Sequence, residues 1–487
     1  MRKDPRMQGL KFLTALSIVT AFLTLGTPNA RANCTGSSPT WYSTPDRESV
    51  ATCVTYAKNG DAIKVSPGTG IWESPVTWNA KNLTLIGAGI DQTIIVSNAE
   101  ALVFGTGENP VSNSSRVTGF TFQCSVSPVY SSGRIQLSGH DWRIHANKFD
   151  CGTNYTVGVY VRGTSKTSAS KGLVDNNTFV NARVLVEDYP GVSQRELNGT
   201  SHWSTPLDLG KDEAVYVEDN TFIYTLHANA VDANDAGRYV FRFNTVTDGY
   251  LEAHGVTAYR RGARKWEIYY NTIKTDTRNV PFITFLRSGT GMVFNNVATG
   301  TFTSGYTLDH RRSYESPNLV GSCNGASSWD ANTLASGWLC RDQIGAGIDV
   351  SAWSSGVAPP HQMLIPAYFF LNTKNASNGP VAINYTSGNH ISANRDFYDY
   401  TTSFDGMTGV GAGPLSARPS TCRAGVGYWA KDDGEWNSLH AGPDGRFYKC
   451  SATNTWTPHY TPYTYPHPLR SEGVVALPPQ PAALTVR

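Results

Sequence analysis

The sequence predicts an all-β chain wound as a parallel solenoid, and three observations carry that reading. An Asn-x-apolar triplet recurs, opening at Asn147, Asn177, Asn220, Asn244, Asn271 and Asn295. Several triplets follow a short β-type strand, such as Tyr239-Val240-Phe241-Arg242-Phe243 before Asn244, and another β-type segment comes after each. The composition has 46 Gly, 24 Tyr and only 16% charged residues, where globular chains average about 25%. Disordered chains, coiled coils and long charged helices are excluded on that ground. The formal charge of +2 gives no basic field of the size nucleic acid requires.

The asparagines are 30, 43, 24, 27 and 24 residues apart. A unit of about 24 residues holds three short strands and their turns, which is one coil of a solenoid. Asparagine tolerates left-handed geometry at a sharp bend, and its amide can bond to the equivalent residue of the next coil. With coils about 4.8 Å apart, such a ladder satisfies polar groups buried along the stack. The Phe, Val or Ile that ends each triplet then points inward as a column. A Greek-key sandwich would also give short strands, but not six triplets in one phase.

The ends read differently. Arg2, Lys3 and Arg6 precede an apolar run over about 10–26 and the sequence Ala30-Arg31-Ala32. This is the pattern of a secretory signal peptide over 1–32, too short for a membrane span. Its removal would leave 35 bases and 37 acids, a net charge of −2. All eight cysteines follow it, and an even count in an exported chain reads as disulfides. Local pairing suggests Cys34–Cys53, Cys124–Cys151, Cys323–Cys340 and Cys422–Cys450, among many possible connectivities. The expected location is secreted or periplasmic, and the expected state monomeric, with no membrane contact after cleavage.

The triplets, with the segments Asn59-Gly60-Asp61, Ile63–Gly68 and Leu83–Gly89, resemble the right-handed parallel β-helix of the pectate-lyase-like superfamily over about residues 45–400. The resemblance implies that a helix-like stretch, Ser49 to Lys58, caps the open end of the first coil. The β-helix domain is expected over 33–410, with loop insertions at about 189–212 and 313–360. The repeat fades near Gly411, and 411–487 is rich in Tyr, Trp and Pro. That segment is expected to be a small disulfide-tied cap, with a sugar-binding module using Trp429, Trp436 and Trp456 as the alternative.

In this superfamily the strand after the bend and the next turn usually face the substrate groove. Alternation turns Val159, Val161, Val184, Val186, Val231, Ala233, Leu251 and Ala253 inward. It leaves Tyr160, Arg162, Leu185, Glu187, Asp232, Asn234, Glu252 and His254 outside. The same rule turns Ile283 and Phe285 inward with Thr284 and Leu286 out, then Tyr306 and Leu308 inward with Thr307 and Asp309 out. Glu187, Asp232, Asn234, Glu252, His254 and Asp309 would thus stack on one face, with His310 and Arg311 nearby. Close like charges are costly unless they bind a cation, share a proton or pair with bases. The turn Tyr259-Arg260-Arg261-Gly262-Ala263-Arg264-Lys265 adds four bases.

Two chemistries fit. In a polysaccharide lyase, Ca²⁺ on Asp232, Asn234 and Glu252 would neutralise a uronate carboxylate. His254, Tyr259 or an arginine (Arg260, Arg261) would then remove the C5 proton, with Glu252 at the same centre. Arg162, Glu187, Asp235, Arg264, Arg287, Asp309, His310 and Arg311 would line the path of an extracellular polysaccharide. In a glycoside hydrolase, Asp232, Asp235 and Glu252 would act directly as acid, base or nucleophile. The polygalacturonase-type motifs are met only by Asp232…Asp235 and Ala253-His254-Gly255, and Arg278-Asn279-Val280-Pro281 does not match the arginine motif of pectate lyases. The expected function is a metal-assisted lyase, with the hydrolase as alternative and a non-catalytic carbohydrate binder or adhesin as the second alternative.

Overall fold

Three long sheets run side by side, and the chain visits them in rotation. The computed structural model describes residues 32–79, 81–105, 114–125, 133–164, 169–188, 201–256, 261–310, 340–349, 362–378, 381–383 and 391–471. The expected signal peptide therefore lies outside the described residues, apart from Ala32. One turn of the chain runs Val215–Glu218 in the first sheet, Thr221–Ile223 in the second and Asn229–Asn234 in the third. Arg238–Arg242 then returns to the first sheet and pairs in parallel with Val215–Glu218. Among the described residues, repetition gives sheets of 13, 11 and 10 strands, almost all in parallel pairs. The chain is nearly all β and is a parallel β-helix; among the described residues its longest helix is Arg47–Tyr56. None of the described helices is long and apolar enough to cross a membrane.

The asparagine ladder forms as the periodicity implies. The backbone N–H and side-chain amide of Asn147 both donate to Asn177 Oδ1, at 3.0 and 3.2 Å. The same pair of bonds links Asn177 to Asn220, Asn220 to Asn244 and Asn244 to Asn271. Each amide also donates to a carbonyl of the preceding coil, as Asn244 does to Val217 at 2.8 Å. An unpaired buried group costs about 1–3 kcal/mol, so the ladder fixes every bend it touches. Two details differ from the sequence reading. Left-handed geometry falls on the residue before each ladder asparagine: Ala146, Asn176, Asp219, Phe243 and Tyr270 have φ of 52–56°. Hence Asn295, at φ 51°, is a bend residue and Asn296 is the rung, which continues to Asn372.

Inside the second sheet, Phe122, Phe149, Phe179 and Phe222 stack with centroids 5.3, 4.8 and 4.6 Å apart. Val159, Val184, Val231 and Leu251 form the matching buried column of the third sheet. The Arg47–Tyr56 helix starts at Asp46, whose carboxylate accepts from the Ser49 N–H at 2.9 Å. It buries Val50, Cys53 and Val54 in the core. Disulfides join Cys34 to Cys53, Cys124 to Cys151 and Cys422 to Cys450. Cys340 is also disulfide-bonded, while Cys323 lies outside the described residues.

The C-terminal segment forms a four-stranded sheet, Val410–Gly413, Gly427–Ala430, Arg446–Ala452 and Thr455–Tyr460. It packs on the outer face of the first sheet, where Tyr216, Tyr269, Phe294, Tyr368 and Phe370 meet Trp429, Phe447 and Tyr460. Trp429 and Trp436 are buried in that contact.

Candidate active site

The third sheet places two acids side by side. Val231 pairs with Leu251, so the next residues, Asp232 and Glu252, occupy neighbouring coils on the outward parity. His254 follows two residues later. Ligating atoms of Asp232, Glu252 and His254 lie within 4.8 Å of one another. Both carboxylates are buried, whereas the His254 side chain is 34% exposed and gives the cluster its open side.

Each acid has its own arginine. Arg183 Nη1 lies 3.2 Å from Asp232 Oδ2 and also donates to Asn229 Oδ1 at 3.1 Å. Arg287 donates to Glu252, which also accepts from the Asn229 amide and, at 3.3 Å, from the Tyr250 hydroxyl. His254 Nδ1 sits 3.3 Å from Asp232 Oδ2, 3.7 Å from Glu252 Oε1 and 2.7 Å from Arg287 Nη2. One nitrogen cannot accept from Arg287 and donate to Asp232 together, so protonating Nδ1 exchanges the first contact for the second. Burial alone would raise the Asp232 carboxyl, but His254, Arg183 and Arg287 outweigh it and hold it below its usual range. Asp232 therefore stays ionised in a dry setting.

The other expected residues divide into three groups. Glu187 and Asn234 stand next along the row, with Asn234 Nδ2 donating to Glu187 Oε1 at 3.2 Å and the Tyr160 hydroxyl donating to Oε2. Arg162 pairs in register with Glu187, and Asp309 follows Arg287 on the next coil, its N–H on the Leu286 carbonyl. Asp309 accepts from the His310 N–H, and both are buried. Asp235 occupies the turn after the strand, at φ 46°, with its N–H on the Arg261 carbonyl. Tyr259, Arg260 and Arg311 lie outside the described residues.

The described bases of the turn, Arg261, Arg264 and Lys265, do not join the cluster. Arg261 is wholly buried, forked on Asp342 at 2.8 and 2.8 Å and lying 4.1 Å over the Trp203 ring. Arg264 donates to the carbonyls of His202 and Thr205, and Lys265 to that of Asp208. These bases hold the 201–208 and 340–349 segments against the coil instead of facing a polymer. Burial alone would raise the Asp342 carboxyl, but Arg261, Arg341 and the Gly262 N–H hold it below 3.8. A depressed acid stabilises the fold above its unfolded value and loses that contribution as pH falls through the folded one. Thermal unfolding temperature is therefore expected to drop steeply below about pH 4. Asp342→Asn should lower it at pH 7 and flatten the acid limb, as a melting series from pH 3 to 7 would show.

One alternation was shifted by a bulge. The register slips between Phe282 and Thr284, so Phe285 pairs with Glu252 and Leu286 with Ala253. Phe285 is thus on the outward row beneath Arg287, 4.8 Å from its guanidinium, and Leu286 is in the core. Arg183, Asn229 and Tyr250 were missed. Arg183 shares strand parity with Leu185 and Glu187, and Tyr250 with Glu252, so alternation carried the signal for both.

The donor set does not fit the calcium site expected from sequence. Calcium takes oxygen ligands, but the third atom beside Asp232 and Glu252 is a histidine nitrogen, while the Asn234 Nδ2 donates to Glu187. Arg183 and Arg287 also already balance the two carboxylates.

No protein-family model and no curated protein matches the chain. Among solved structures, the catalytic domain of a GH87 alpha-1,3-glucanase in complex with nigerose is similar at 11% identity and a TM-score of 0.27. The match covers 73% of this chain and 66% of that one. A form of the same domain in complex with tetrasaccharides matches at 13% identity and a TM-score of 0.25, with the same coverage.

Proposed function

We propose that the protein is an exported carbohydrate-active enzyme, a glycoside hydrolase that uses the paired carboxylates Asp232 and Glu252. The observation that carries this is their approach, with His254, to within 4.8 Å on the outward row of the third sheet. Two close carboxyl groups are the minimum apparatus for glycosidic cleavage, and a short separation suits a retaining mechanism. Asp232, held ionised, supplies the nucleophile or base. Glu252 is the second carboxyl group, and His254, the exposed member, carries the proton between carboxylate and substrate. Disulfides in three described pairs suit an oxidising compartment. The right-handed winding, the capping roles of the Arg47–Tyr56 helix and the C-terminal segment, and a monomeric state belong to the same reading.

The lyase reading keeps one supporting observation, the contact of Arg287 with His254, an arrangement able to hold a uronate and take its proton. A panel of neutral and acidic polysaccharides, α-1,3-glucan included, separates the readings with and without EDTA. New reducing ends without ultraviolet absorbance, insensitive to EDTA, are expected. Absorbance from unsaturated uronate would instead establish the lyase, and neither product on any polymer would leave a binder.

A further inference from the structure

A cleft of about 480 Å³ opens where the coil bends meet the C-terminal sheet, and none of the acid cluster lines it. Tyr270, Asn295 and Leu371 enter it from three successive coils. Each is the left-handed bend residue before a ladder asparagine, at φ 55°, 51° and 56°. Asparagine, aspartate and alanine take that conformation elsewhere in the ladder, and a bulky side chain there is strained. Bulky residues occur at Phe243, Tyr270 and Leu371. Packing accounts for Phe243, stacked on Tyr465 at 3.9 Å, and for Leu371, which joins the apolar contact with the C-terminal segment. Tyr270 is different. The residue remains 37% exposed, its side chain hydrogen-bonded to Asn295 and its ring backed by Phe243 at 5.3 Å and by Trp436 at 5.8 Å.

Trp429 and Pro443 add apolar lining, and the remaining side chains are polar. Asn437, His440, Asp444 and Lys431 face the ring from the C-terminal side, with Asn295 beside it. Asp444 orders that rim by accepting from the Trp436 and Asn437 N–H groups at 3.1 and 2.9 Å and from His440 at 2.8 Å. An open aromatic face with amides, an imidazole and one charge of each sign is suited to a ring with one apolar face and many hydroxyls. A single ammonium balanced by a single carboxylate selects a neutral ring over an acidic one.

We infer that this cleft is a second carbohydrate-binding site, in which one neutral glycosyl unit stacks on Tyr270 and is held by the Asn295, Asn437 and His440 side chains. The choice of a sugar as occupant rests on the proposed function; the site itself stands on the cleft and its ring. It would hold a polymer on the protein apart from the carboxylates, raising the local concentration of chain to be cut.

The test is binding of neutral hexasaccharides of α-1,3-, β-1,3- and β-1,4-linked glucose, read by tryptophan fluorescence and calorimetry in the Glu252→Gln background. Tyr270→Asn removes the ring while relieving the backbone, so it should fold at least as well. It is expected to weaken binding roughly tenfold or more, and Tyr270→Phe to restore it to within about threefold. In the parent background Tyr270→Asn should leave the cutting rate on short soluble substrates unchanged. Binding that is equally tight in Tyr270→Asn, or no binding by any hexasaccharide, overturns the site. Binding lost with Tyr270 in a protein that cuts no polysaccharide upholds the site and refutes the hydrolase.

Discussion

Asp232→Asn is expected to slow glycoside cleavage roughly 100- to 10,000-fold while leaving the fold intact. At about 1.4 kcal/mol per decade, that is a loss of about 3–5 kcal/mol of transition-state stabilisation. Asparagine matches aspartate in shape and can still accept from Arg183, which lies 3.2 Å away. What it lacks is the charge that faces His254 at 3.3 Å. The depressed carboxylate also contributes to stability, so the melting temperature should fall somewhat, but the protein should stay folded at the assay temperature while the rate collapses. Initial rates on any polymer that the panel shows to be cut, set beside melting curves, make the comparison. Activity within about threefold of the parent would remove Asp232 from the chemistry. The pH profile gives a second reading. An acid whose folded value is depressed is ionised above that value, so activity that needs it falls only as pH drops below about 4. An acid limb near pH 6 would give the role to another group.

The fold was legible because its signals are local and repeated. Five triplets in phase, with a sixth that opens one residue early, specify a bend, a strand and the distance to the next coil, and the observed ladder uses those bends. The acid pair was legible for a related reason. Within a strand, side chains alternate, so Val231 and Leu251 in the core force Asp232 and Glu252 onto the other face. Alternation failed where the chain inserts a residue: the bulge before Thr284 exchanges Phe285 and Leu286, and no local signal announces it. It also could not say which outward positions meet water. Arg261, Arg264 and Lys265 look like a solvated basic turn until segments distant in sequence cover them. Trp203 and Asp342 lie 58 and 81 residues from Arg261, and only folding brings them there. Asn372 escaped for the same reason, because a long insertion separates it from Asn296 by 76 residues.

The outer face of the first sheet yields the largest expected effect on stability. Glu218 and Arg242 lie in register on adjacent coils and are both wholly buried, with Arg242 on Glu218 Oε2 at 2.7 Å. Glu218 also takes the Arg470 guanidinium at 2.7 Å and the His467 N–H at 3.1 Å. Arg242 spends its other donors on the carbonyls of Tyr463 and Thr464, at 2.6 and 2.9 Å, and on the Tyr269 hydroxyl. One ion pair therefore ties the C-terminal segment to the solenoid through both of its members. Glu218→Ala leaves a buried guanidinium without its counter-charge, which costs about 3–5 kcal/mol where such pairs have been broken. Against a typical total of about 5–15 kcal/mol, that is a large fraction. Urea unfolding should shift to a much lower midpoint, and residues near 460–470 should become sensitive to protease well before the solenoid opens. Replacing both partners by leucine distinguishes a charge effect from simple loss of packing. Two apolar side chains leave no stranded charge, so Glu218→Leu with Arg242→Leu should recover much of the stability lost by Glu218→Ala alone. A double variant as unstable as the single one would mean that the bonds to Tyr463 and Thr464, and not the ion pair, fasten the segment.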